Sequence, residues 1–224
     1  MSQRVSVGAM EATDRTRLHR EPERGVFDRA AVHSIIDAAP YCHLGFTDRD
    51  GTPVVIPTVH ARVGDQLVLH GSVAGRAMRT AGTAPIVCCE ISLIDGIVVA
   101  RSGFWSSINY RSVMVFGGPR VVTDVDEKLL ALDAIVDHLL PGRSAEVRRP
   151  THKELAATSV ISLAIDETSA KIRAGDPNDD PSDLDTEVWA GVLPMRLVTA
   201  APVPAANLRP GIPVPSSVLL AADR

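Results

Sequence analysis

The residues best suited to chemistry lie close together, where a predicted strand leads into a short helix. His70, Gly71 and Ser72 end the strand, and Arg76 opens the helix. The first N–H groups of a helix have no partner within it, and the helix dipole favours negative charge there. An arginine fork also binds phosphate oxygens well. The pattern therefore predicts a phosphate site, with an ordinary surface hairpin and helix as the alternative.

The strand before this point contains a proline. Val54–Arg62 is rich in β-branched residues, and the pattern resumes at Gln66–His70 after a Gly64-Asp65 turn. Because proline has no N–H to give to a sheet, Pro57 requires an edge strand or an interruption. Neighbouring main-chain groups would then be free to bond the polar rim of a flat heterocycle. Together with the phosphate site, this suggests a nucleotide-like cofactor.

The remaining elements that position these residues are mostly strands. Asp28 caps a helix that Pro40 ends, and a second helix starts at Asp124 or Asp126. The other predicted strands are Tyr41–Thr47, Pro85–Leu93, Ile97–Ser102 after an Asp95-Gly96 turn, Ser112–Val122, Thr158–Ile165 and Val188–Leu197. Seven or eight strands joined mostly by hairpins predict a mainly β protein, an antiparallel Greek-key β-barrel with peripheral helices.

The chain divides by composition into three parts. Residues 1–24 are polar and aperiodic, which predicts a flexible N-terminal arm. Residues 25–198 carry the periodic segments and form the predicted barrel domain. Residues 199–224 contain repeated prolines, which predict an extended C-terminal tail.

Charge and apolar content exclude several classes of function. The net charge of −4 and pI near 6.0 argue against a general nucleic-acid or anionic-membrane binder. No apolar run approaches a membrane span, and residues 1–10 lack a signal-peptide core, so we expect a cytoplasmic protein without membrane contact. Strand alternation separates the side chains of Cys88 and Cys89, and likewise those of Cys42 and His43, so no metal site is predicted.

Some polar residues allow two interpretations. His60 is expected to face solvent from its strand, with the substrate side of the barrel as the alternative. Lys171 and Arg173 are equally compatible with binding an anion and with an ordinary charged turn. No Ser-His-Asp arrangement or Walker loop is present, and catalytic residues are not identified from the sequence.

Five blocks of sequence, in this order, resemble a known family. They are Gly51–Thr58, Leu69–Arg76 (LHGSVAGR), Asn109–Gly117 (NYRSVMVFG), Pro141–Thr158 (PGR and KELAAT), and Ser169–Pro194 (SAKIRAGDPNDD and VWAGVLP). The chain resembles the pyridoxamine 5′-phosphate oxidase-related, FMN-binding split-barrel proteins, in the branch that includes nitroimidazole reductases. The resemblance covers roughly residues 20–198.

The resemblance implies an FMN site at the interface of a homodimer. The strand with Pro57 would line the isoalloxazine, the segment ending at Arg76 would hold ribityl and phosphate, and the strand with Ser112 would reach the pyrimidine edge. Trp189 would cover the cofactor of the second subunit. The implied cofactor-binding residues are Val55, Ile56, Pro57, Thr58, His70, Gly71, Ser72, Arg76, Tyr110, Arg111, Ser112 and Trp189.

The implied activity is electron transfer from a reduced nicotinamide, NAD(P)H, through FMN to a small acceptor. The alternative is a non-catalytic barrel that binds flavin, haem or deazaflavin. Two departures from the family matter. The oxidases carry an Arg-x-His-type element before the last tryptophan, where this chain has the acidic NDDPSDLDTE, so pyridoxamine phosphate oxidase activity is not expected. Trp105-Ser106 stands where close relatives are expected to carry a His-His pair.

Overall fold

The computed structural model describes residues 10–222, which form two antiparallel sheets with helices around them. The strands are β1 (Gly25–Val26), β2 (Cys42–Thr47), β3 (Pro53–Thr58), β4 (His60–Val63), β5 (Gln66–Ser72), β6 (Val87–Val99), β7 (Ser107–Gly117), β8 (Arg120–Val121), β9 (Thr158–Ala164), β10 (Glu167–Arg173) and β11 (Gly191–Pro194). The helices are α1 (Arg29–Ala38), α2 (Arg76–Ala81), α3 (Val125–Leu139), α4 (Arg143–Glu146), α5 (His152–Ala157) and α6 (Ser216–Ala222).

The larger sheet has seven strands in the order β1-β10-β7-β6-β2-β3, and β11 also pairs with β6. The smaller sheet has the order β4-β5-β9-β8. Every strand pair is antiparallel. The mainly β, antiparallel architecture with peripheral helices is therefore as predicted.

Apolar side chains from both sheets meet in one main core. Leu44 from β2, Ile91 from β6 and Leu69 from β5 are almost fully buried there, and Ile36 of α1 packs against them. A second cluster, around Ile135, packs α3 against the other face of the smaller sheet. Burying side chains of this size contributes about 1.5–3 kcal/mol each, so the two clusters fix the relative positions of the sheets.

Two predicted helix starts are confirmed by their caps. The Asp28 carboxylate accepts the N–H of Ala31 at 2.8 Å, and the Asp124 carboxylate accepts the N–H of Glu127 at 2.8 Å. The turn predicted at Gly64 is also present, with a positive φ of 60° that glycine adopts without strain. These local signals were sufficient to place the starts of both helices and this turn.

Three expectations about strands and burial were wrong. Asp95-Gly96 is a bulge inside the continuous strand β6, because β7 pairs along both sides of it. The last strand is confined to Gly191–Pro194, where it pairs with β6. His60 is fully buried because its ring lies under α1, where Nε2 contacts the Ile36 carbonyl at 2.9 Å.

Both ends of the described chain contact the rest of the protein. The Met10 N–H donates to the Phe27 carbonyl at 2.8 Å, and the Thr13 hydroxyl donates to Glu167 at 2.7 Å. Residues 1–9 of the predicted arm lie outside the described residues. In the proline-rich tail, α6 docks through Ser217, whose N–H donates to Glu146 at 3.1 Å. None of the helices within residues 10–222 combines the length and apolarity needed to cross a membrane.

Candidate functional site

Strand β3 lies at the edge of the larger sheet, as Pro57 requires. Its other side pairs with β2, so that Val55 lies opposite Gly45 and Pro57 opposite His43. A proline is compatible with this ladder where its nitrogen points away from β2. Alternation then directs the N–H of Val55 to the open edge as well, and its side chain is 67% exposed. The edge therefore offers one main-chain donor and an apolar surface to a ligand.

Ile56 and Thr58 alternate with these two residues along β3. Ile56 lies opposite Leu44 and packs against the main core, so its side chain supports the strand from inside. Thr58 is half-buried opposite Cys42 at the end of the strand. Of the four ring-lining residues implied by the family resemblance, Val55 and Pro57 are thus the two that are exposed.

The residues at the end of β5 point in two directions. A Cβ on Gly71 would lie 2.6 Å from Met78 of α2, so this position has no room for a side chain. His70 alternates to the opposite face and lies across from Val160, which packs in the α3 cluster. Its Nδ1 is buried without a hydrogen bond, and burial lowers the pKa of His70 below 6.5. Ser72 is exposed, and its hydroxyl accepts the N–H of Ala74 at 3.2 Å.

Arg76 extends toward the β2–β3 hairpin. Its guanidinium lies 3.4 Å from the Asp48 carboxylate, and its side chain is 71% exposed. Gly75 precedes α2 without a side-chain cap. The predicted phosphate residues are therefore close in sequence, but Arg76 and His70 lie on different sides of β5.

The outward side of the larger sheet carries two rows of side chains, which we call the outer face. One row runs Pro57, His43, Glu90 and Met114 across β3, β2, β6 and β7. The parallel row runs Val55, Gly45, Cys88 and Phe116. Met114 is 37% exposed. The outer face is thus largely apolar with one polar pair inside it, which is the composition of a surface that a ligand or partner covers.

Strand β7 carries three predicted site residues: Ser112 and Tyr110 follow Met114 on the outer face, and Arg111 alternates to the opposite face of the sheet. Ser112 lies opposite Ser92 and Lys171. Tyr110 is half-buried opposite Ile94. Arg111 forms a two-bonded ion pair with Asp95 at 2.7 and 2.8 Å.

Arg111 also lines a cavity of about 620 Å³. The hydrogen bonds that Arg111 donates to Asp95 raise the pKa of Arg111 above its usual range, so its charge is fixed at any relevant pH. Tyr41, Leu93 and Arg196 line the same cavity. Its size lies within the range of about 300–1,000 Å³ typical of small-molecule sites.

Trp189 stands at the start of β11 and is 64% exposed. Its ring lies against Gly191, where an added Cβ would approach within 3.0 Å. The loop that carries it is tied down by Asp179, which accepts from the Arg101 N–H at 2.7 Å and from its guanidinium at 2.6 Å. The Asp179 side chain is 3% exposed. An ion pair with a buried carboxylate therefore anchors the loop that leads to this exposed indole.

Sequence comparison supplies the family of this chain. The profile of the pyridoxamine 5′-phosphate oxidase family matches residues 28–172, well over half of the chain. The chain belongs to that family. A search of curated protein sequences found no match.

Solved structures extend the comparison over nearly the whole chain. The chain is 38% identical to the flavocytochrome Anf3 from Azotobacter vinelandii, with a TM-score of 0.88, covering 94% of this chain and 98% of that one. It is 39% identical to the FAD and haem binding protein from Mycobacterium smegmatis, with a TM-score of 0.84, covering 88% and 97%. A protein proposed to confer 5-nitroimidazole antibiotic resistance in Bacteroides thetaiotaomicron is 26% identical, with a TM-score of 0.57, covering 66% and 86%. The fold is accordingly the FMN-binding split barrel.

Within the pyridoxamine 5′-phosphate oxidase family, this chain differs at the end of the molecule near Trp189. The acidic loop uses Asp179 to bind Arg101, so the substituted segment has a structural role. The rings of Trp105 and Phe104 pack edge to face, with their centres 5.0 Å apart, and Phe104 is 84% exposed. Two aromatic side chains thus occupy the tip of the β6–β7 hairpin, where the sequence departs from the expected histidine pair.

Sequence reasoning missed two pairs of polar residues that the fold of this chain brings together. His43 and Glu90 pair on the outer face at 3.2 Å, although they are far apart in sequence. The His60 ring lies 4.6 Å from that of His138 inside the protein, and burial lowers the pKa of His138 below 6.5. Only the pairing of β2 with β6 and the docking of α3 produce these contacts, so no local pattern could have revealed them.

The cysteines are free thiols on two sides of the larger sheet. Cys42 and Cys89 are fully buried in the main core, whereas Cys88 is half-buried on the outer face. The hydrogen bond to Cys42, together with burial, raises the pKa of Cys89 well above 9.0. Among residues 10–222 no group of three or more histidines, cysteines and carboxylates is arranged to hold a metal ion.

Proposed function

We propose that this chain is a homodimeric flavoprotein that passes electrons from a reduced nicotinamide through a bound flavin to a small acceptor. The observation that carries this proposal is its similarity, at 38% and 39% identity over 94% and 88% of its length, to a flavocytochrome and to an FAD and haem binding protein. Membership of the pyridoxamine 5′-phosphate oxidase family supports it independently.

The residues of the open edge fit a flavin. The N–H of Val55 and the carbonyls of Val55 and Pro57 would bond the polar rim of the ring, and the exposed Val55 side chain would contact its face. Ser112 and Tyr110 would approach the pyrimidine side from β7. A bound flavin supplies hydride and single-electron chemistry, while these residues bind and orient it. Arg76 would leave its ion pair with Asp48 and bind a phosphate of the flavin instead.

A second copy of the chain is the proposed cover of the outer face. Val55 and Met114 expose apolar surface there, and Trp189 exposes an indole at one end of the molecule. A monomer would leave this surface in water, at a cost of about 25 cal/mol for each Å² of apolar area. A homodimer with the flavin at its interface buries the surface and lets Trp189 of one protomer cover the flavin of the other.

The flavin could be FMN or FAD, and the sequence predicts FMN because no second nucleotide-binding motif follows the Arg76 segment. The Mycobacterium smegmatis relative, described as binding FAD, supports FAD instead. Both share the ring, the ribityl chain and the first phosphate, so the residues named above serve either cofactor. Mass spectrometry of the cofactor released from the purified protein distinguishes them, and recovery of FAD alone would refute the FMN prediction.

Haem is the second cofactor that a specific observation favours. Both relatives that match nearly the whole chain are described with haem, one as a flavocytochrome and one as a haem binding protein. A haem site needs an axial ligand, commonly a histidine, in a largely apolar setting. His43 is a partly exposed histidine on the outer face, with Nδ1 3.2 Å from the Glu90 carboxylate. A deazaflavin carrier and a non-catalytic barrel remain the alternatives to an enzyme.

The absorption spectrum of the full-length protein tests the proposal directly. We expect flavin bands in the protein as purified or after incubation with flavin, and their bleaching by NADH or NADPH without oxygen, followed by recovery with an added electron acceptor. Bleaching without turnover would favour the carrier. Protein that binds neither FMN nor FAD would overturn the proposal. As a control, the exposed Arg79→Ala variant of α2 should bind flavin like the wild type.

A further inference from the structure

One edge of β6 has a gap between two partner strands. Strand β7 pairs with the other edge, while β2 pairs here with residues 88–90 and β11 with residues 96–99. Along residues 91–94 no strand of the described chain occupies this edge. Main-chain groups on an unpaired strand edge remain available for hydrogen bonds. The gap therefore offers donors and acceptors to a ligand.

The cavity of about 620 Å³ that Arg111 lines lies in this gap. Residues 92–95 of β6 form one wall, Tyr41 stands at one end just before β2, and residues 195–197 stand at the other end just after β11. The N–H of Met195 donates to the Asp95 carbonyl at 3.0 Å, which fixes that end. The interruption in the sheet thus forms a cavity with the volume of a small-molecule site.

Two arginines give the cavity a positive charge. Arg111 donates to Asp95 from Nε and from one terminal nitrogen, and its other terminal nitrogen bonds no residue in the part of the chain that the structure describes. A guanidinium has five N–H groups, so three of them remain for a ligand. Arg196 is exposed and lines the same cavity. Among the described lining residues Asp95 is the one carboxylate, so the cavity favours an anion.

Much of the remaining lining is apolar. Leu93, Met195 and Leu197 contribute aliphatic side chains. The Tyr41 ring packs edge to face with His43, with their centres 5.5 Å apart, and Tyr41 is 48% exposed. An aromatic ring beside aliphatic side chains suits a flat apolar body. Since guanidinium groups bind carboxylates through charge-assisted hydrogen bonds, an aromatic carboxylate matches both parts of the cavity.

This cavity is separate from the edge proposed for the flavin. Ser112 and Tyr110 lie on the outer face, whereas Arg111 alternates to the opposite face of the sheet. Strand β2 stands between β6 and β3, and no residue of β3 lines the cavity. A ligand in the gap would therefore leave the open edge of β3 free.

We propose that the gap between β2 and β11 binds a small aromatic carboxylate, whose charged group Arg111 and Arg196 hold. Asp95 is a positioning residue for this site. Its carboxylate orients the guanidinium of Arg111, and its carbonyl holds the main chain of Met195 beside Arg196. The site is additional to the proposed flavin function and does not depend on it.

Titration of the purified full-length protein with 2-naphthoate, measured by isothermal calorimetry, tests the inference. We expect saturable binding, at least about 10-fold tighter than that of 2-naphthamide, which has the same rings without the charge. Arg196→Ala should weaken naphthoate binding about 10-fold and Arg111→Met about 10–100-fold, as expected for hydrogen bonds to a charged group. Arg209→Ala is the matched control, because it removes an exposed arginine outside the cavity, and should bind like the wild type.

Two further measurements separate binding from a structural role. The melting temperature of Arg196→Ala should match that of the wild type, because Arg196 is exposed, so this variant carries the test even where Arg111→Met is less stable. Flavin affinity should be unchanged in saturating 2-naphthoate. Competition between the two would place the acid at the flavin edge, which would overturn the inference and leave the proposed function intact. Equal binding of acid and amide, normal binding by Arg196→Ala, or no saturable binding of the acid would also refute it.

Discussion

Replacing Asp179 with alanine should destabilise the loop that carries Trp189. Asp179 accepts two hydrogen bonds from Arg101, one from the main chain and one from the guanidinium. Its side chain is 3% exposed, whereas that of Arg101 is 27% exposed. The Nε of Arg101 is buried without a hydrogen bond even in the intact pair. Asp179→Ala would therefore leave a largely buried cation with no carboxylate.

Breaking a buried ion pair by removing one partner costs about 3–5 kcal/mol. Arg101 retains some contact with water, so we expect the free energy of unfolding of Asp179→Ala to fall by the lower value, about 3 kcal/mol. In a protein of this size 1 kcal/mol shifts the melting temperature by roughly 2–4 °C, so the midpoint should fall by about 6–12 °C. Circular dichroism measures this directly, and limited proteolysis should show faster cleavage within residues 174–190.

Asp185→Ala is the matched control, because Asp185 lies in the same loop and is exposed. It should change the melting temperature by no more than about 1–2 °C, as expected for a surface substitution. The double variant Asp179→Ala, Arg101→Met should lose less unfolding free energy than the sum of the losses in the two single variants, since the second change removes the unpaired cation. If Asp179→Ala is no more destabilising than the control, the pair does not hold the loop and the argument fails.

Three further predictions concern the cofactor and pH. Arg76→Ala should weaken flavin binding by about 1.5–3 kcal/mol, the range for a hydrogen bond to a charged group, and unchanged affinity in a titration would remove Arg76 from the site. In Trp105→Phe, where Trp189 is the remaining tryptophan of two, flavin should quench most of the indole emission, and unquenched emission would place Trp189 away from the cofactor. Burial lowers the pKa of His138, so stability is fully present above the unfolded value of 6.5 and decreases as pH falls below it. His138→Gln, which keeps a donor for Ala39, should reduce this loss in denaturant unfolding, and an identical pH dependence would contradict the assignment.

Much of the architecture could be predicted because the decisive signals are local. Pro57 alone required an edge strand or an interruption, since proline has no N–H to give to a central ladder. Asp28 and Asp124 marked helix starts because a cap needs only residues two or three positions away. Gly64 indicated a turn because it adopts positive φ without strain. Each of these depends on a few neighbouring residues.

The features that were missed depend on distant parts of the chain. Asp95-Gly96 has the composition of a turn, yet β7 pairs on both sides of it and turns it into a bulge. His60 was expected at the surface because strand alternation cannot show that α1 covers that side of β4. Lys171 and Arg173 were interpreted as either an anion site or a charged turn, whereas they lie in strand β10, which pairs with β7 along its whole length. Tertiary pairing overrides local preference in each case.

The prolines of β3 explain both its place at the edge of the sheet and its availability to a ligand. An exposed edge strand normally invites pairing with another chain, and proline is one of the residues that prevents it. Pro53 and Pro57 stand at both ends of β3, with Val55 midway between them. A second strand could obtain at most one main-chain donor from this edge, at Val55, and would leave its own carbonyls opposite the prolines without partners. A flat ligand with few polar atoms needs only that one donor. The edge is therefore unfavourable for strand addition and remains suitable for a flavin.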